Sequence, residues 1–168
     1  VSGAVLTNYK GVSTDGTDTW VDGDINVIGD LGSHGEIYIS TPVAETSTTG
    51  WTDITAGTFT ADELNKMTFD SNNALVSTNG GKYMVVVSLS PSTSSANDVF
   101  QIGISVNDAA PSVGHWIERK FSNNDVGAFP VSGMVTLTAG QTIKLKHKRI
   151  TGTGNLTIKY ANISAFKI

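Results

Sequence analysis

The stretch Lys82–Ser90, KYMVVVSLS, decides the fold. On an extended chain Tyr83, Val85, Val87 and Leu89 fall on one side, and Met84 and Val86 on the other. A strand that is apolar on both sides is one covered on both sides. In a two-layer sandwich the second sheet supplies one cover. The other cover must be a loop or another copy of the chain, and a symmetric trimer provides such a copy. Tyr83, Met84 and Val86, with Phe166 near the C-terminus, are therefore the expected head-interface residues.

Short apolar runs with similar alternation lie on either side of this stretch. Strands are expected near residues 50–54, 57–60, 66–70, 74–78, 81–90, 98–107, 113–121, 127–138, 141–149 and 155–168. Turn residues separate them: Asn79-Gly80-Gly81, Asn107-Asp108, Asn123-Asn124-Asp125, Ala139-Gly140 and Thr151-Gly152-Thr153-Gly154. The one helical signal is Thr60-Ala61-Asp62-Glu63-Leu64-Asn65-Lys66, where a Thr followed by Glu three residues on makes a capping box with room for a turn or two. No crossover helices are available for a parallel α/β sheet. The expected class is all-β, an antiparallel jelly-roll sandwich.

Composition agrees. The 168 residues are one domain's worth, rich in Gly and carrying only 15% charged residues. A net charge of −4 argues against broad nucleic-acid binding, whose affinity comes from neutralising phosphates. No apolar run approaches the roughly 18 residues of a membrane helix, so no membrane insertion is expected. With no Cys there is neither a disulfide framework nor a thiolate metal site. The first residues, VSGAVLTNYKG, lack the charged start and long apolar centre of a secretory signal.

Upstream, Val21–Ile39 reads VDGDINVIGDLGSHGEIYI and contains three successive hexads, VDGDIN, VIGDLG and SHGEIY. Each has Gly third, an acid fourth and an aliphatic fifth. Read as one continuous strand, the segment would span roughly 60 Å, several times a usual strand. One row of apolar side chains does not offset the entropy of ordering so long an arm alone, so other chains must share it. On an inward face the glycines let neighbouring backbones approach closely. Ile25, Val27, Gly29, Leu31, Gly35 and Ile37 are thus the expected core of an intertwined trimeric stalk. The domain division that follows is an N-terminal attachment segment and extended β stalk over 1–40, and a head over 41–168. Two ordinary strands joined by a Gly turn at the sandwich edge remain the alternative.

The run GDINVIGDL resembles the G-D-L-x-V-x-G-D-L hexads of bacteriophage tail fibres, head fibres and other viral spikes, in which three chains wind about one axis. Gly81–Leu89, then Phe100–Asn107, then Val135–Leu145, form the pattern G-x-Y, F-x-I-x-I-x-x-N, V-x-L-x-x-G-x-x-I-x-L. With the aliphatic ending Leu156–Ile168, this resembles the trimeric jelly-roll heads of the tumour necrosis factor and complement globular-head type. The two resemblances imply a homotrimer with a stalk and a knob.

Candidate chemistry is sparse. Gly103-Ile104-Ser105-Val106-Asn107 begins like a nucleophile elbow but lacks the final Gly and sits in an expected strand. His34, His115 and His147 lie in separate segments without metal-ligand spacing, and His147 shares an apolar side with Ile143 and Leu145. Asp98 and Glu118 are the default pair for glycoside hydrolysis. Asp15, Asp18, Asp22 and Asp24 make an acidic cluster that does not follow an EF-hand loop; solvated turns and a Ca²⁺ site are the two readings. Lys144, Lys146, Lys148 and Arg149 form a basic row, either a solvated strand face or a contact for an anionic glycan or protein support. Trp20, Trp51 and Trp116 offer rings for packing or for sugar stacking.

No cofactor, no catalysis and no nucleic-acid partner are expected. The expected role is a structural virion protein, a homotrimeric fibre or decoration protein on a phage capsid or tail. It would dock by its N-terminal segment on a capsid or tail protein and touch a host surface glycan weakly. A bacterial surface carbohydrate-binding or adhesive module is the alternative, and a polysaccharide depolymerase the third possibility.

Overall fold

The structure is a computed structural model, and it describes residues 12–14, 19–21, 32–55, 59–122 and 125–168. The chain forms two compact units, Val1–Leu31 and Gly32–Ile168. In the first, β1 (Val12–Thr14) pairs antiparallel with β2 (Thr19–Val21).

The second unit is a sandwich of two antiparallel sheets, with no helix among its described residues. Its strands are β3 (His34–Ile39), β4 (Val43–Glu45), β5 (Thr52–Asp53), β6 (Thr60–Asn65), β7 (Met67–Phe69), β8 (Leu75–Ser77), β9 (Gly81–Thr93), β10 (Val99–Val106), β11 (Trp116–Lys120), β12 (Val131–Leu137), β13 (Thr142–Thr151) and β14 (Leu156–Lys167). One sheet has the order β12-β9-β14-β3-β6, with β4 also on β14. The other runs β11-β10-β13-β8-β7, with β5 also on β13.

Alternation builds the core between them. Tyr83, Val85, Val87 and Leu89 of β9 turn inward with Phe100, Ile102 and Ile104 of β10 and Ile143 and Leu145 of β13. In β14 the inward set changes phase, from Leu156 and Ile158 to Ala161, Ile163 and Ala165, across a bulge between Ile158 and Tyr160. The extra residue of the bulge keeps a twelve-residue strand facing one core throughout. Phe121 bridges two rings, edge-on to Phe100 at 6.0 Å and stacked on Phe129 at 6.1 Å.

The structure departs from several of these expectations. The capping-box segment is strand β6, because its backbone pairs with β3 across the sheet edge. Such pairing outweighs the one or two hydrogen bonds of a capped turn. The segment 21–39 is not one continuous strand: Gly32 takes a left-handed φ of +40° ahead of β3. The third hexad then belongs to the head, whose compact unit begins at Gly32 rather than at residue 41. Ile37 is fully buried in the head core and lies opposite Ile163 of its own chain. Gly35 also faces that core, where an added Cβ would stand 3.0 Å from Leu75 and 3.2 Å from Leu64 and Met67. Neither residue is stalk core. Ile25, Val27, Gly29 and Leu31 lie outside the described residues, as do Asp15, Asp18, Asp22 and Asp24.

Candidate functional site

The two sheets present very different outward faces. On the β12-β9-β14-β3 sheet the residues facing away from the core stand in rows across the strands. Met134, Met84 and Phe166 are directly opposite one another on β12, β9 and β14. The next row is Ser132, Val86, Ser164 and Glu36, and the one after it includes Ser88, Asn162 and Tyr38. Residues opposite one another on an antiparallel pair share a face and touch. Met84 is 37% exposed, Val86 44%, Phe166 47% and Met134 61%, so a contiguous apolar patch faces solvent. Tyr160 and Ile168 are exposed as well. A shallow cleft of about 210 Å³, bounded by Ser88, Pro130, Tyr160 and Asn162, adjoins this face.

Of the four expected interface residues, Met84, Val86 and Phe166 are brought together on this face. Tyr83 is not among them. It is fully buried, and its hydroxyl donates to the Asn79 carbonyl at 2.7 Å and lies 2.9 Å from Ser77 Oγ. A period of two puts it with Val85 and Val87, on the opposite side from Met84. Met134 is the addition. Its signal was present in the alternation of β12, where Val131, Val135 and Leu137 face the core and leave Met134 on the other side.

The opposite sheet is charged outward, and the cations of β13 have partners within the chain. Lys144 Nζ lies 2.7 Å from Asp108 and 3.5 Å from Asp53, and Lys146 Nζ lies 2.5 Å from Asp53. Lys148 sits over the Trp51 ring at 4.8 Å, and Arg149 donates to the Gly154 carbonyl. Burial acts to lower the Lys144 pKa, but the Asp108 hydrogen bond and the charge of Asp53 outweigh it, and the net shift is upward. Asp108 is correspondingly lowered, chiefly by its hydrogen bond from Lys144. The basic row is therefore not an open cationic surface. Lys144 is buried and holds two carboxylates, and Trp51 is engaged by Lys148.

The catalytic candidates are tied into the fold. Asp98 is buried, and its Oδ1 accepts from the Thr153 and Gly154 amides, locking the turn between β13 and β14. Glu118 accepts from Gln101 Nε2 at 2.7 Å. Ser105 is buried near the end of β10 and donates to the Ala109 carbonyl. His34 lies 3.2 Å from Glu63, and its other ring nitrogen is 3.2 Å from the Gly32 carbonyl. His147 is fully buried in the core, and neither ring nitrogen has a hydrogen-bond partner among the described residues; burial pushes its pKa down to about 4. No group of three or more potential metal ligands occurs among the described residues.

Among known proteins the chain has relatives in fold. No family model and no curated protein sequence matches it. Among solved structures, Eiger TNF from S. frugiperda is similar, with a TM-score of 0.59 at 12% identity over 82% of this chain and 93% of that one. The globular domain of the zebrafish complement 1qA protein is similar too, with a TM-score of 0.51 at 15% identity over 82% of this chain and 97% of that one. The fold is a TNF-like jelly roll. At these identities the likeness extends to fold and no further.

Proposed function

We propose that this chain is a structural virion protein: a homotrimer whose jelly-roll heads pack through the β12-β9-β14-β3 face and project from a phage capsid or tail. The observation that carries the trimer is the exposed row Met134–Met84–Phe166 with Val86 beside it. A contiguous apolar patch of this kind on a compact domain marks a protein contact. The net charge of the head does not oppose association. Of 11 Lys and Arg only Lys10 precedes residue 32, and of 15 Asp and Glu five do (Asp15, Asp18, Asp22, Asp24, Asp30). That leaves 11 − 1 = 10 cationic and 15 − 5 = 10 anionic side chains from residue 32 onward. The occupant of the face is another copy of the chain, as the resemblance to trimeric heads implies.

The virion setting rests on the first two hexads and their likeness to phage fibres. In that setting the N-terminal segment docks on a capsid or tail protein, and three heads present their loops together. Weak contacts with a host surface glycan then add by avidity. The role is mechanical, with no reaction and no cofactor.

Light scattering on the full chain at micromolar concentration tests the assembly. The expected mass is that of three 17.6 kDa chains; a folded single chain overturns the trimer. Detection of the protein in purified phage particles tests the setting, and its absence from them overturns the virion placement.

A further inference from the structure

The open face contains one carboxylate, Glu36, that has no counter-charge among the described residues. Glu36 stands in the row of Val86 and Ser164, one step from Met84 and Phe166. It is half-buried and held in place rather than loose: Asn162 Nδ2 donates to its Oε1 at 2.5 Å, and Ser164 Oγ lies 3.2 Å from its Oε2. The Ser164 hydroxyl has a single proton and also lies 2.9 Å from Asn162 Oδ1, so it serves one acceptor at a time. No ion pair involves Glu36 among the described residues. At least part of the carboxylate's accepting capacity is left to water.

Covering the face strips that water away. A carboxylate buried with no counter-charge and fewer donors than its oxygens accept is disfavoured, whereas apolar surface alone tolerates many seatings. We propose that Glu36 is the specificity-determining residue of the assembly. Its carboxylate, positioned by Asn162 and Ser164, requires a hydrogen-bond donor from the neighbouring copy and so selects the one seating that brings it. A charged group set beside apolar ones fixes register and copy number in this way, at a cost in strength. The inference rests on the trimer reading and adds what makes the trimer unique.

The experiment is sedimentation velocity and native mass spectrometry on the full-length wild type, Glu36→Gln and Glu36→Leu, with circular dichroism confirming that each folds. Wild type is expected as one trimeric species. Glu36→Gln keeps the shape and some hydrogen bonding and is expected to remain trimeric, dissociating at about tenfold higher concentration as a charge-assisted bond becomes a neutral one. Glu36→Leu is expected to associate at lower concentration but as a mixture of species. A Glu36→Leu protein that forms one trimer with the wild-type concentration dependence overturns the inference while leaving the trimer intact. A monomeric wild type overturns the trimer and this inference with it.

Discussion

The two outward faces of the sandwich are made from the same element, a strand with alternating side chains, and meet their surroundings differently. On β13 every outward cation finds a partner within the chain, Asp53 and Asp108 for Lys144 and Lys146, and the Trp51 ring for Lys148. On β9 and β14 the outward Met84, Val86 and Phe166 are left uncovered. A face whose polar groups are already matched gains little from a partner. A face of uncovered apolar groups gains the full burial of each. The difference is the ground for proposing the second face as the contact.

The sharpest way to break that contrast is to place a charge on each face in turn. Met84→Asp combined with Phe166→Asp is expected to convert the proposed trimer to folded monomer, because central apolar anchors each contribute roughly 2 kcal/mol or more to an interface. Lys148→Glu on the opposite face is expected to leave the mass unchanged. Sedimentation of both variants checks the pair, and equal dissociation by the two would abolish the distinction between the faces.

Much of the sandwich was legible because burial on one side imprints a period of two. Strands β7 to β14 fall where alternation and turn residues place them, and Met84, Val86 and Phe166 are out of phase with the core in the sequence itself. The failures share a cause: pairing partners are distant and leave no local mark. Thr60–Asn65 carries a helix-start signal, yet it lies against β3. The hexad SHGEIY has the same period whether its neighbour is another chain or β14 of its own. Only the structure shows Ile37 opposite Ile163. The basic row read as open because Asp53 and Asp108, far from it in sequence, return to neutralise it. For Glu36, the donors Asn162 and Ser164 are likewise remote.

A second contrast lies between matched and unmatched polar groups inside the head. His147 is enclosed between Ile102 on β10 and Thr52 on β5 with no partner for its ring nitrogens among the described residues. Burial holds its pKa near 4 against an ordinary 6.5. Between those values the unfolded chain binds the proton and the folded chain does not. The stability that depends on neutral His147 is therefore complete above about pH 6.5 and is lost as pH falls toward 4. A shift of this size corresponds to at most about 3 kcal/mol. Urea midpoints at pH 7 and pH 4.5 are expected to differ less in His147→Leu than in wild type, the excess in wild type belonging to the buried ring. An identical pH dependence in the two proteins would show that His147 takes no part in the acid response.

The smallest expected effect separates adjacent residues, Tyr83 and Met84, that sit on opposite sides of one strand. Tyr83→Phe removes only the hydroxyl that donates to the Asn79 carbonyl and meets Ser77, so it should lower folding stability by about 1 kcal/mol. Because the ring stays in the core, trimer mass and dissociation should be untouched. Met84→Ser should do the reverse. It removes an exposed side chain, leaves the urea midpoint of the isolated head nearly unchanged, and weakens association. Denaturation and sedimentation on the two variants give two numbers each. If Tyr83→Phe shifted the assembly more than the folding midpoint, the assignment of β9's two sides would have to be exchanged, and with it the choice of contact face.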